Sequence, residues 1–182
     1  MGTDKGLLSS VDGIWMQNSY RLLASLPILV KISVNEQQLA AYRRALPEAD
    51  FIVDEKELLA GGPLKGLMSA HHLFPDEDIF VLACDMQRMQ SNVLEALYAA
   101  AFAENRPAYI YQNGTQVEPL CGIYTARALQ QIDSWYATGS LQRHGLIAVL
   151  DRLEVSFLSL PEQWQPFFEN FNSPEDLKKM PL

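Results

Sequence analysis

The apolar residues of this chain change period repeatedly, from the three-to-four spacing of an amphipathic helix to short continuous runs and back, and that alternation restricts the fold to the α/β class. Asp12-Gly13 marks a turn, and Ile14 to Ala24 reads as a helix with Ile14, Tyr20 and Leu23 on its apolar face, stopped by Pro27. The β-branched run PILVKISVN predicts a buried strand ending near Asn35. Glu36 to Leu46 places Leu39, Tyr42 and Leu46 at helical spacing, Pro47 closes it, and DFIVDE follows as a strand. The paired glycines and proline of LLAGGPLKG require a turn, which leads into a helix from Leu64 to Leu73. After the acidic loop PDED comes the strand DIFVLACD, then a helix from Asn92 to Phe102 with Ser91 as its N-cap. Short connections between alternating elements imply a mostly parallel sheet with helices on both faces.

The second half is less regular. Asn113-Gly114 between Tyr109–Tyr111 and Val117–Tyr124 predicts an antiparallel hairpin, because both residues tolerate positive φ. Helices over Ala126–Tyr136 and Leu141–Arg152 follow, then the strand VSFLSL. A last short helix is capped by Ser173, with Pro174 at its first position and Glu175 and Asp176 against its dipole. There is no internal repeat, low-complexity tract or linker, so residues 1–182 are expected to form one domain, of a size that needs no disulfide or metal staple. The net charge of -8 disfavours a nucleic-acid coat protein and an anionic lipid surface, yet permits a small phosphorylated ligand held by a few donors and a divalent cation. Cys84 and Cys121 lie in apolar runs and read as small buried side chains of a reducing compartment. No signal peptide or membrane span is visible, and a cytoplasmic protein is expected.

In open α/β sheets ligands bind beyond the carboxyl ends of the strands, so chemistry is sought where each apolar run turns polar. Three strands end in a suitable group: Asn35 after KISV, Asp54 after FIV and Asp85 after FVLAC. A lone carboxylate leaving an apolar strand, as at Asp85, suits a hard cation such as Mg²⁺, although such an aspartate also serves simply to cap a loop. The GGPLKG turn aims backbone amides at the start of a helix, which suits an anion or a base edge, and is equally an ordinary turn. Lys5 offers a mobile point charge for phosphate. His71 and His72 are adjacent on a helix, point apart and have no cysteine nearby, so a zinc site is not expected; His144 reads as a helix-surface residue. No GxGxxG, Walker A, HExxH, CxxC or GxSxG pattern occurs, and Trp15, Trp135, Trp164, Phe167 and Phe168 read as core.

Taken together, MG-DKGLL, ISVN, VDE followed by GGPLKGL, LACDM, EPLCGIY, GSLQRHGL and FNSPEDL stand in the order and near the spacing of the molybdenum cofactor guanylyltransferase family, within the nucleotidyltransferase superfamily. The resemblance covers essentially the whole chain and is specific as a set. It implies a three-layer α/β/α Rossmann-like nucleotidyltransferase fold with a mostly parallel sheet and an antiparallel hairpin. It also implies transfer of GMP from GTP to molybdopterin, with release of pyrophosphate and dependence on Mg²⁺. Residue by residue, Lys5 matches a lysine that contacts nucleotide phosphates, and Asn35 and Asp54 match positions that bind guanosine. Asp85 matches the metal aspartate; Gly62, Pro63 and Leu64 match the turn beside the base; Asn172 matches an asparagine near metal and phosphates. The implied partners are GTP and molybdopterin, with a molybdoenzyme or another cofactor-biosynthesis protein as a further candidate.

Two departures stand out. Gln87 occupies the place where the family commonly has proline after LACDM. The family also begins with a strand and a glycine-rich loop of the form LAGGxSxRMGxDK, and this sequence begins at the equivalent of its last residues. The expected first strand is therefore missing, a central gap in the sheet follows, and an internal methionine taken as a start codon accounts for it; a stop codon directly upstream of Met1 would overturn that explanation. The alternatives are a cytidylyltransferase or sugar-phosphate nucleotidyltransferase, and a non-catalytic module that binds molybdopterin or a partner enzyme. The second substrate is expected around Glu118–Tyr124 and the SLQRHGL segment with Arg143.

Overall fold

Alternate residues of one strand show how the layers form. In β6 (Ala108–Asn113), Ala108 and Ile110 enter one apolar cluster while Tyr109 and Tyr111 enter another on the opposite face, and all four are buried. The structure, a computed structural model, describes residues 4–10, 13–58, 60–141, 145–171 and 176. After a 3-10 turn at Lys5–Leu7, the elements are β1 (Ser9–Ser10), β2 (Gly13–Ile14), α1 (Trp15–Leu23), β3 (Lys31–Val34), α2 (Glu36–Ala45), β4 (Asp50–Val53) and α3 (Pro63–Leu73). Then come β5 (Ile79–Leu82), α4 (Ser91–Ala103), β6, β7 (Gln116–Tyr124), α5 (Ala126–Ala137), α6 (Leu146–Leu150), β8 (Val155–Ser159) and a 3-10 segment at Glu162–Phe168.

The main sheet has four strands in the order β5-β7-β6-β8. Strand β7 runs antiparallel to both β5 and β6, whereas β6 and β8 are parallel. β7 is thus the reversed strand among β5, β6 and β8, because the hairpin sends it back and it inserts between β5 and β6. The α/β class holds, with a mixed rather than uniform ladder. The hairpin turn falls one residue later than the dipeptide suggests: Asn113 still pairs with Gln116, and Gly114 alone takes positive φ, at 59°. α3, α5 and α6 cover one face through Leu64, Met68, Leu129, Ile132 and Val149; α1 and α4 cover the other through Leu23, Val93, Leu94 and Leu97.

β3 and β4 form a separate parallel pair, with Lys31 opposite Asp50 and Val34 opposite Val53. Their own apolar cluster contains Met16, Val34, Tyr42, Leu46 and Ala49. Among the described residues no strand joins β3 to β5, so the strands are divided there, where a central gap is expected from the sequence. Other boundaries shift modestly. Gln90, not Ser91, is the N-cap of α4, without a side-chain bond, and α6 spans Leu146–Leu150 within the longer helix expected. Ser173, Pro174, Glu175, Arg143 and His144 lie outside the described residues.

Candidate functional site

Strands β3, β4 and β5 end at a common rim. Asn35, Asp54 and Asp85 line a single cavity of about 1210 Å³, together with Gly62, Pro63 and Gly66 from the turn and first turns of α3. Gly62 has φ 57° and ψ -146°, a conformation that a side chain would strain, and Pro63 occupies the first helical position, where its missing N–H costs nothing. Leu64 points away from this rim: it is fully buried in the core beneath α3. Gly66 faces β3 so closely that a Cβ would stand 2.5 Å from Ser33 Oγ, which explains why the helix can sit against the strand end.

Lys5 reaches the rim from the N-terminal 3-10 turn, and its Nζ donates to Asp85 Oδ2 at 3.0 Å. The turn is fixed by its neighbour. Asp4 accepts the Gly6 amide at 3.0 Å, the Tyr42 hydroxyl at 2.7 Å and Gln38 Nε2 at 2.7 Å. Burial, reinforced by the adjacent Asp4 carboxylate, pushes the Tyr42 phenol far above its ordinary range, so it remains a donor. Asp4, Gln38 and Tyr42 were not among the residues singled out by sequence, because nothing local joins Asp4 to a tyrosine so distant along the chain.

Each polar group at the rim also has a local partner. Asn35 caps α2: its Oδ1 accepts the Gln38 amide at 3.0 Å and Gln38 Oε1 accepts the Asn35 amide at 2.9 Å, a capping box visible in the sequence as N-x-x-Q. Asp54 accepts from Ser33 Oγ at 3.4 Å; burial raises its carboxyl above the usual value, opposed by Ser33 and by Lys65. Gln87, which replaces the expected proline, ties the loop after Asp85 together by donating to Cys84 O at 2.6 Å and to Trp15 O at 3.3 Å. On the other side of Asp85, the Phe171 amide donates to its carbonyl at 3.2 Å. Asn172 lies outside the described residues. Both cysteines are free; Cys121 is buried as expected, whereas Cys84 is only partly buried and lines the cavity, its thiol pushed up to about 11, first by burial.

Among the described residues there is no cluster of three or more histidine, cysteine or acidic ligands. His72 instead bridges Glu55 and Asp133, at 2.6 and 3.0 Å. Glu118 is buried against Gln116 rather than at the cavity, and burial raises its carboxyl. No helix of the described residues is long and apolar enough to cross a membrane.

A family model described as MobA-like NTP transferase domain matches residues 1–155. The chain belongs to this family. Consistent with that, it is 30% identical over 179 residues to a molybdenum cofactor guanylyltransferase of Pseudomonas putida, covering 97% of this chain and 88% of the relative. In fold it is similar to molybdopterin-guanine dinucleotide biosynthesis protein A of Archaeoglobus fulgidus, with a TM-score of 0.77 at 23% identity, covering 98% of this chain and 89% of that one. A manganese complex of Rv0371C from Mycobacterium tuberculosis shares the fold at a TM-score of 0.66 and 15% identity, covering 98% and 91% of the two chains. The MobA-like chain is therefore a nucleotidyltransferase, and its rim of strand ends is the place to seek transfer chemistry.

Proposed function

We propose that this chain transfers GMP from GTP to molybdopterin, yielding molybdopterin guanine dinucleotide and pyrophosphate. The observation that carries the reading is the convergence of Asn35, Asp54 and Asp85 on one cavity, with Lys5 paired to Asp85 at 3.0 Å. The name of the Pseudomonas putida relative supports the choice of substrates.

In the proposed reaction an oxygen of the molybdopterin phosphate attacks the α-phosphorus of GTP. A new P–O bond forms, the bond to the bridging oxygen of the β-phosphate breaks, and pyrophosphate leaves with its electron pair. Phosphoryl-type transfer of this kind depends on positioning and charge neutralisation, so no side-chain nucleophile is required. Lys5 faces the triphosphate and offsets charge developing on the leaving group. Asp54 and the Asn35 end of β3 receive the nucleoside, and Gly62 and Pro63 shape the wall against the base, with Leu64 holding that turn to the core.

The donor set fits Mg²⁺: Asp85 offers a single hard carboxylate at an open rim, which suits an ion that keeps several waters and takes substrate phosphates as its other ligands. Asp85 would hold it, with Asn172 as the second candidate ligand. When bound, Mg²⁺ supplies charge neutralisation at the phosphates. The manganese complex of the structural neighbour supports a hard, oxygen-preferring cation in this fold.

The test is pyrophosphate release from GTP or CTP in the presence of molybdopterin and Mg²⁺. GTP is expected to support release and CTP much less. Asp85→Ala is expected to abolish most release while retaining the wild-type circular dichroism spectrum. Wild-type turnover by that folded variant would overturn the site, preference for CTP would overturn the guanine assignment, and no release with either nucleotide would favour a non-catalytic binding module.

A further inference from the structure

Asp85 lies beyond the part of its strand that the sheet holds. The ladder between β5 and β7 pairs Leu82 with Cys121, and the Ala83 amide makes one more bond, to Leu120 O at 2.8 Å. Asp85 then sits in a turn whose own closing bond, from the Met86 amide to Ala83 O, is 3.5 Å long, at the outer limit for such a contact. Local bonding therefore sets the direction of its carboxylate only loosely. The two planar peptide units that flank an α-carbon decide where its side chain leaves the backbone. Both units beside Asp85 are held from elsewhere. Gln87 Nε2 donates to the Cys84 carbonyl, on one unit, at 2.6 Å, and the Phe171 amide donates to the Asp85 carbonyl, on the other, at 3.2 Å.

The Gln87 carboxamide is itself oriented by a chain of hydrogen bonds. Its nitrogen also donates to Trp15 O at 3.3 Å, at the start of α1, and its Oε1 accepts Asn18 Nδ2 at 3.1 Å. Asn18 Nδ2 donates to Ser10 Oγ at 2.9 Å, and Ser10 Oγ donates to Gly13 O at 3.0 Å. The chain ends on the carbonyls of Gly13, Trp15 and Cys84, which can only accept, so its direction is determined. A flipped Gln87 would set its oxygen against two carbonyl oxygens and its nitrogen against that of Asn18. The network ties the Asp85 loop to α1 and to the β1–β2 hairpin, which follows the turn that carries Lys5. On the other side, the Phe171 ring is 3% exposed, edge-on to Trp15 with 6.2 Å between centroids, and the Arg88 guanidinium stands 5.6 Å from its centre.

We infer that Gln87 is a positioning residue for Asp85: its side chain, oriented by Asn18, fixes the peptide unit before the aspartate while the Phe171 amide fixes the one after it, and the carboxylate is thereby aimed at the cation and phosphates. The inference rests on the reading of Asp85 as the cation ligand and adds to it the group that aims the ligand. A proline in this place would restrain the loop through its own ring. Gln87 draws its restraint from partners on α1 instead, so the aim of Asp85 depends on an element that proline would not reach. Because the same network reaches the hairpin behind Lys5, it also sets the two members of the 3.0 Å Lys5–Asp85 pair against each other. Partners that orient a metal-binding carboxylate change cation affinity by about 10- to 100-fold when removed, although they never touch the ion.

The probe is Mn²⁺ alone, a hard, oxygen-preferring ion whose free form is followed by electron paramagnetic resonance. Asp85→Ala is expected to lose the ion. Gln87→Met, similar in size and without donors, is expected to raise the Mn²⁺ dissociation constant at least about tenfold and to keep the wild-type circular dichroism spectrum. In pyrophosphate release the same variant is expected to raise the Mg²⁺ concentration for half-maximal rate by a similar factor, with most of kcat recovered at saturating Mg²⁺. A residue that only supported the fold would shift the urea midpoint and leave that concentration unchanged. Asn18→Leu, on a partly exposed position of α1, is expected to weaken Mn²⁺ binding in the same direction, and the double variant no further than Gln87→Met alone. Wild-type Mn²⁺ affinity in either folded single variant, when Asp85→Ala has lost the ion, overturns the positioning role and leaves the reading of the site intact. Undiminished Mn²⁺ binding by Asp85→Ala overturns both.

Discussion

Tyr42 and Gln38 both end on the carboxylate of Asp4, and the backbone leaves that carboxylate directly into Lys5. A flexible lysine thereby acquires a fixed origin: its Cα is held by a carboxylate with three donors while its Nζ meets Asp85. The arrangement depends on Gly6, where a Cβ would stand 2.0 Å from the Tyr42 oxygen and 2.8 Å from the ring carbon bearing it. Tyr42 is 5% exposed and packed by Val34 and Leu46, so its ring has little room to yield. Gly6→Ala is expected to displace Lys5 and raise the KM for nucleotide at least about tenfold, equivalent to about 1.4 kcal/mol, in steady-state pyrophosphate release. Tyr42→Phe keeps the packing and removes one charge-assisted hydrogen bond; it is expected to lower stability by about 1.5 kcal/mol in urea unfolding. Asp85 was marked in sequence as the carboxylate at which an apolar run turns polar, and Lys5 by the match of DKGLL to the family. Asp4 was not, because its value comes from a tertiary contact that no local spacing reports.

Helix α2 shows how one residue serves an element and a site together. Asn35 carries a capping box, so Asn35→Ala is expected to cost about 1 kcal/mol of stability, while Asn35→Asp retains the cap and its stability. If Asn35 also contacts guanosine, both variants weaken nucleotide binding by calorimetry, and only one of them weakens the fold. A second element-level device joins the loop after β4 to α3 and α5. Both ring nitrogens of His72 face carboxylates, Asp133 and then Glu55 in order of effect, and they raise its pKa. A raised histidine contributes stability that is fully present below about pH 6.5 and is lost as pH rises through its folded pKa. His71, lowered chiefly by burial, acts in the opposite sense and destabilises as pH falls through its own folded value. Thermal unfolding of the wild type is therefore expected to show Tm falling as pH rises above about 6.5, a slope that His72→Gln removes. Element order was readable from periodicity, and so was the start of α2 at Glu36. The hairpin turn shifted by one residue because the strand ladder extended through Asn113, an effect of pairing rather than of dipeptide preference.

At the scale of the whole molecule the division between sheets governs behaviour, and sequence could indicate a gap but not its consequences. Strand pairing is non-local, so periodicity identified β3, β4 and β5 without showing which edges meet. The four-stranded sheet is buried between helix layers and shares in two large apolar clusters, whereas β3, β4 and α2 rest on a smaller one built from Met16, Val34, Tyr42, Leu46 and Ala49. Stability scales with buried apolar area, so a segment on a small cluster with an open strand edge opens at lower free energy than the main sheet. Native-state hydrogen exchange is expected to show amides of residues 31–34 and 50–53 exchanging through a sub-global opening, well before residues 108–111 and 121–124. Asn35 and Asp54 directly follow β3 and β4 and Asp85 follows β5 of the four-stranded sheet, so a ligand that spans all three must couple the two parts. Saturating GTP with Mg²⁺ is therefore expected to slow exchange in β3 and β4 more than in β6 and β7, by the free energy of binding to the closed form. Equal protection of both groups without ligand would show that α1 and α3 alone lock the two parts together.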